Sequence, residues 1–186
     1  MDIPLDRRRP RQIIRDAKSL LTSVQEGASD EPTYLTSTEA HDTPGMLDWM
    51  YSLTETNMSE LYEACPGWGW DGQAKRQELG HNDARYLVIG RDAFVHLRYE
   101  MEGSEPVIYV YEIQVDAKKQ GQQLGQRLMG AVELLAARLR FPRVMLTVFT
   151  GNAGARRFYE ILGYKEDQSS PDDDAGYMIL CKDIAL

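Results

Sequence analysis

The chain has 186 residues, 42% of them hydrophobic and 27% charged, with a formal net charge of −8. This fits one globular domain with a packed core and excludes a helical membrane span, since no apolar run approaches about 18 residues. The acidic surplus argues against direct nucleic-acid binding and suits steering toward a basic partner.

Cys65 and Cys181 are too far apart to form a zinc pattern or a disulfide framework, so two reduced thiols are expected. The opening Met1–Gln12 has no apolar signal core, which makes the cytoplasm and nucleus the expected locations.

Residues 1 to about 30 are polar, with Arg7, Arg8, Arg9 and Arg11 clustered early. Apolar residues from Ile13 to Val24 recur at helical spacing and predict a short helix. Residues 27–46 are rich in Ser, Thr, Gly, Pro and Asp and read as a linker. The expected organisation is therefore an N-terminal helix and linker over 1–46, packed on a core domain over 47–186. Leu47–Tyr62 has a helical pattern, with Thr54 or Thr56 placed to cap a second segment. A turn at Pro66–Trp70 and a short helix follow.

Ala84–Gly90 and Ala93–Met101 read as strands joined by hairpin chemistry at Gly90-Arg91-Asp92. Val107–Val115, rich in β-branched and aromatic residues, gives the strongest strand signal. Leu124, Leu128, Met129, Val132, Leu135 and Leu139 form a helical stripe, and Val144–Phe149 reads as a strand buried on both faces. Asn152 opens a helix over Ala153–Leu162, Gly163 suits its C-terminal cap, and Tyr164 and the segment Gly176–Ile184 supply the last strands. The alternation predicts a mixed α/β domain.

The unit with chemical content is the strand Tyr111–Val115, the loop Gln120-Gly121-Gln122-Gln123-Leu124-Gly125, and the helix from Gln126. A helix N-terminus presents free N–H groups and positive dipole charge, and glycines before it allow a phosphate close approach. About thirty residues on come Asn152, Ala155, Phe158-Tyr159-Glu160 and Gly163-Tyr164. No Gly-Lys-Ser/Thr of a Walker loop is present. The two halves resemble the signature of the GNAT acetyltransferase superfamily, Q/R-x-x-G-x-G/A followed by N-x-x-A-x-x-F-Y-E-x-x-G-F/Y.

That resemblance implies a GNAT fold, a mixed central sheet flanked by helices with an extra N-terminal helical segment. It also implies acetyl-CoA as co-substrate and no metal. The backbone of Gly121, Gln122, Gln123, Leu124, Gly125 and Gln126 would hold the pyrophosphate. Ile113, Gln114 and Val115 would pair with the pantetheine arm, with Asn152 opposite. Gln123 departs from the pattern, since the family usually has glycine there. A positive φ at this position would strain it.

Leu53-Thr54, Thr56-Asn57-Met58, Trp68-Gly69-Trp70, Tyr109, Tyr111-Glu112, Val144–Phe149 and Ser169-Ser170-Pro171 resemble one branch, the N-alpha-acetyltransferase 40 (NatD) family. That family acetylates the N-terminal serine of histone 4 and histone 2A. The resemblance implies basic histone tails as partners and a peptide site of Tyr62, Trp68, Glu100, Met101, Glu102, Tyr109, Tyr111, Thr147, Ser169 and Tyr177. The acidic run Asp172-Asp173-Asp174 is placed to face such a tail.

Acetyl transfer to an amine needs one proton accepted, and Glu112 is the candidate base. Tyr109 and Tyr111 stand beside it as catalytic candidates, and Tyr111 or Tyr159 is the alternative acid for the departing thiolate. The protein is expected to act as a monomer.

Overall fold

The computed structural model describes residues 31–171 and 175–185. The expected helix over Ile13–Val24, the arginine cluster and Asp172–Asp174 lie outside the described residues. Seven strands form one sheet: β1 (Thr33–Thr36), β2 (Arg85–Ile89), β3 (Ala93–Glu102), β4 (Glu105–Val115), β5 (Arg143–Phe149), β6 (Lys165–Glu166) and β7 (Tyr177–Asp183). Their order is β1-β2-β3-β4-β5-β7-β6. β4 and β5 run parallel and the other neighbours are antiparallel. The helices are α1 (Ser37–Asp42), α2 (Met46–Ala64), α3 (Gly72–Leu79), α4 (Leu124–Leu139) and α5 (Ala153–Ile161). This is the mixed sheet flanked by helices that the sequence predicts.

Parallel strands require a crossover, and α4 supplies it between β4 and β5. Its stripe of Leu124, Leu128, Met129, Val132 and Leu135 is buried against Leu97, Ile108, Val110 and Leu146 of the sheet. The opposite face packs Tyr86, Val88 and Phe94 under Met50, Tyr51 and Leu79 of α2 and α3. β5 lies between β4 and β7, and its Val144, Met145 and Leu146 are all buried, as its apolar run requires.

Two local expectations are corrected. The stretch 27–46 reads as a linker, yet it carries β1 and α1. A capping box explains α1: the Glu39 N–H donates to the Thr36 hydroxyl, and the Glu39 carboxylate accepts from the Thr36 N–H at 2.7 Å. The Thr36-x-x-Glu39 signal is visible in the sequence, but the polar composition around it masks it. Neither Thr54 nor Thr56 caps a second segment. α2 runs through both, and their hydroxyls donate to the carbonyls of Met50 and Ser52, one turn back.

One irregularity sets the position of the site. His96 pairs with Glu112 and the next residue, Leu97, pairs with Val110, so Tyr111 is an extra residue in β4. Such a bulge breaks strict alternation. Val110 faces the α4 core. Tyr111 stacks on His96, and Glu112 meets Lys75 of α3, so two successive side chains face α2 and α3.

Candidate active site

β4 and β5 pair from Val107/Arg143 to Val110/Leu146 and no further. Beyond that point Glu112–Val115 keeps β3 as a partner and Thr147–Phe149 keeps β7, while the two strands part from each other. A cleft of about 320 Å³ opens at this divergence. Tyr109–Gln114 line one side and Thr147–Phe149 the other. Tyr62, Trp68, Lys75 and Glu78 close it from α2, the following turn and α3, and Asn152 and Tyr159 reach it from the start and body of α5.

Glu112 is buried within this wall. Its Oε1 accepts from Lys75 Nζ at 2.7 Å, and its Oε2 accepts from Gln114 Nε2 at 2.7 Å. Burial pushes its carboxyl above the usual range, while Lys75 pulls it back. Burial works against the Lys75 charge, but the carboxylates of Glu112 and Glu78 outweigh it and hold the ammonium protonated. Gln114 is tied in turn to α2, because Asn57 Nδ2 donates to Gln114 Oε1 at 3.0 Å and to the Val115 carbonyl at 3.2 Å.

Aromatic rings from α2, the turn after it and β5 also line the cleft. Tyr62 lies edge-on to Trp68, Trp70 and Phe149, with ring centroids 4.8–5.7 Å apart. Trp68 also meets Phe149 and Tyr177 and remains 44% exposed. Burial, with Glu112 nearby, pushes the Tyr62 phenol up to about 12. Burial and the Glu100 carboxylate push Tyr111 up to about 12 as well, and its hydroxyl donates to Glu100 Oε1 at 3.2 Å. Both phenols therefore hold their protons near neutral pH. Tyr159 lines the cleft from α5, is buried, and also has its phenol raised by burial.

The loop before α4 takes the conformation on which the glycine question turns. Gln123 caps the helix at φ 63°, ψ 9°, and its side chain accepts no capping bond. Gly121 also has positive φ, at 76°. Glycine at 121 thus does not spare residue 123, and the left-handed turn is made by a residue with a Cβ. The first helical bond runs from Arg127 N–H to the Gln123 carbonyl, so the N–H groups of Leu124, Gly125 and Gln126 have no intrahelical acceptor. Gly125 permits close packing against α5, since a Cβ there would meet Phe158 at 3.3 Å. Asn152 caps α5, its Oδ1 accepting from Ala155 N–H at 3.1 Å.

The remaining predicted residues divide between two places. Tyr62, Trp68, Tyr109, Tyr111, Glu112, Ile113, Gln114, Thr147 and Asn152 come together in the cleft. Glu102 and Ser169 line a second cleft with Glu105, Arg143 and Asp167. Glu100 is linked to the first cleft through Tyr111, and Tyr177 through Trp68. Met101 lines neither cleft and pairs with Pro106 across β3 and β4. Sequence reasoning missed Lys75, Glu78 and Phe149. Lys75 and Glu78 lie three apart in a polar helix of ordinary composition, with no pattern to mark either for burial or binding.

A family model described as "Acetyltransferase (GNAT) family" matches residues 53–164. N-alpha-acetyltransferase 40 of Saccharomyces cerevisiae is 40% identical over 77 residues, which are 38% of this chain and 27% of that protein. The chain therefore matches about a quarter of that relative's length. Among solved structures, the fold is similar to Tetrahymena GCN5, with TM-score 0.65 at 12% identity, covering 83% of this chain and 96% of that one. It is also similar to the NatC complex bound to Gag peptide and CoA, with TM-score 0.60 at 12% identity, covering 83% and 99%.

Proposed function

The chain belongs to the acetyltransferase (GNAT) family, and on that premise we propose that it acetylates the α-amine of a protein N-terminus. The acceptor in this reading is the N-terminal serine of histone 4 and histone 2A, as in the N-alpha-acetyltransferase 40 (NatD) branch. One observation carries the reading: the β4–β5 divergence opens a cleft lined by the Glu112 carboxylate and by the Tyr62, Trp68 and Phe149 rings. The 40% identity to the yeast N-alpha-acetyltransferase 40 over 77 residues supports the branch.

The residues present fit acetyl-CoA. The edge of β4 past Val110 has no partner on the β5 side, which suits the extended amide chain of pantetheine. The N–H groups of Leu124, Gly125 and Gln126 at the start of α4 suit a pyrophosphate. When bound, acetyl-CoA supplies the thioester whose acetyl group is transferred.

The chain's own groups then act on the amine. An α-amino group has a pKa near 7.7–8.0, so about a tenth or more is neutral near pH 7 without help. Glu112 would accept the proton released as the N–C bond forms and the thioester C–S bond breaks, directly or through one water, and that proton passes back to the departing sulfur so that CoA leaves as the thiol. Tyr109 and Tyr111 keep their protons and donate hydrogen bonds. The aromatic wall favours the small residues of a Ser-Gly start. Glu100 and Glu102 offer carboxylates to a following arginine by charge-assisted hydrogen bonds. In this reading basic histone tails are the partner, and the protein acts as a monomer in the cytoplasm and nucleus.

The test is mass spectrometry of a Ser-Gly-Arg-Gly-Lys peptide incubated with protein and acetyl-CoA. The expected product carries one acetyl on the serine α-amine. Transfer to the lysine side chain alone, or to spermidine in preference to the peptide, overturns the reading.

A further inference from the structure

Lys75 is buried on α3, and its ammonium spends all three N–H groups inside the protein. They go to Glu112 Oε1 at 2.7 Å, Glu78 Oε1 at 2.7 Å and the Tyr62 hydroxyl at 2.8 Å. Burying an ammonium and a carboxylate together is a poor way to stabilise a fold, because an apolar pair of similar volume usually does as well or better. The retained pair therefore calls for a reason other than stability, and its place in the cleft wall supplies one.

We propose that Lys75 is a positioning residue for the acetyl transfer, its ammonium holding Glu112 charged and aimed into the cleft while fixing Tyr62 beside it. This rests on the acetyltransferase reading above.

The groups around Glu112 leave this task to Lys75. On its own strand, Gln114 donates to Oε2 and carries no charge. On β3, the opposite residue is His96, which is buried and kept neutral, first by burial and then by the Arg98 charge. Arg98 itself points its guanidinium at the Glu78 carbonyl and lies over the Tyr111 ring. From α3, Glu78 brings a second negative charge, which disfavours an ionised Glu112. Tyr62 from α2 and Tyr159 from α5 are neutral phenols near pH 7. Among the described residues, Lys75 is thus the cation in contact with the carboxylate.

The consequence is chemical. Without Lys75, burial and Glu78 both favour the protonated carboxyl, and a protonated carboxyl takes no proton from an amine. Lys75 keeps its own protons throughout and acts through Glu112 and Tyr62.

The test compares kcat and KM across pH for wild type, Lys75→Met, Lys75→Arg and Glu112→Gln with the acceptor peptide. In Lys75→Met the acid limb of kcat is expected to move up by about one pH unit or more. Its kcat at pH 7 falls at least about tenfold, is partly restored at pH 9, and leaves the KM for acetyl-CoA nearly unchanged. Lys75→Arg keeps the limb near its wild-type position. Lys75→Met combined with Glu112→Gln is no slower than Glu112→Gln alone. A folded Lys75→Met protein whose kcat profile overlays the wild type overturns the proposal.

A second measurement needs neither turnover nor a variant: carbon-13 carboxyl titration of Glu112 in the wild-type protein. An ionised Glu112 at pH 7 is expected, and a protonated one overturns the proposal even if Lys75→Met fails to fold. Absence of wild-type transfer to any amine instead defeats the acetyltransferase reading and leaves the carboxyl titration to decide the role of Lys75.

Discussion

The hydroxyls of Tyr109 on β4 and Thr147 on β5 lie 2.6 Å apart, joining the two strands where their pairing ends. Thr147 is the first β5 residue past the last pair, so this bond lies where the cleft begins. Burial raises the Tyr109 phenol, which therefore stays protonated near neutral pH. Tyr109→Phe is expected to lower kcat for the peptide by about tenfold or more, through loss of a donor at the reacting end. Thr147→Val should lower it less, since the phenol keeps its own proton. Steady-state kinetics, with CoA affinity measured separately by calorimetry and unchanged, check both.

Trp68 lies against Tyr62, Phe149 and Tyr177 and is still 44% exposed. A ring this exposed contributes little to the core and much to whatever enters the slot. Trp68→Ala is expected to raise the peptide KM by about tenfold, a loss of about 1.4 kcal/mol. Its thermal midpoint should move by only a few degrees. A collapse in stability with KM unchanged would assign the ring to folding instead.

Gln123 holds φ at 63° on an exposed turn with no side-chain cap. Left-handed backbone costs a residue with a Cβ about 1–2 kcal/mol, and glycine is spared this at some cost in unfolded-chain entropy. Gln123→Gly should therefore stabilise the protein by up to about 1 kcal/mol, and Gln123→Val should destabilise it. Urea unfolding gives both signs. CoA affinity should survive the glycine variant, because the backbone N–H groups offered to the pyrophosphate are kept.

His96 is buried, its Nε2 accepts from Arg98 Nε at 3.4 Å, and its Nδ1 has no partner. Burial, and then the positive charge of Arg98, holds its pKa well below 6.5. The unfolded chain therefore binds a proton at this site before the folded one does. The neutral ring's stability is fully present above about pH 6.5 and is lost as pH falls below it, approaching about 1.4 kcal/mol per unit. His96→Gln keeps an acceptor without the titration. The difference in unfolding free energy between wild type and this variant should slope with pH below 6.5 and stay flat above it.

The sequence by itself determined the order of elements from α2 onward and the place of the glycine-containing loop before α4. Periods of 3.6 and 2 in the apolar residues are local facts, and so are Gly121 before α4 and Asn152 before α5. It also brought Tyr62, Tyr111 and Glu112 under suspicion by residue type and motif. It did not decide which way their side chains face. Strict alternation along Tyr109–Val115 puts Tyr111 and Glu112 on opposite faces, and the extra residue in β4 puts both toward α2 and α3.

Nothing local marks Lys75, because its burial depends on a carboxylate thirty-seven residues away and a phenol thirteen away. The opening between β4 and β5 is likewise a matter of register between distant strands. Backbone propensity and apolar period act over a few residues and are written in the sequence. A bulge, a buried ion pair and a strand divergence are settled by which distant segments meet, and only the packed chain decides that.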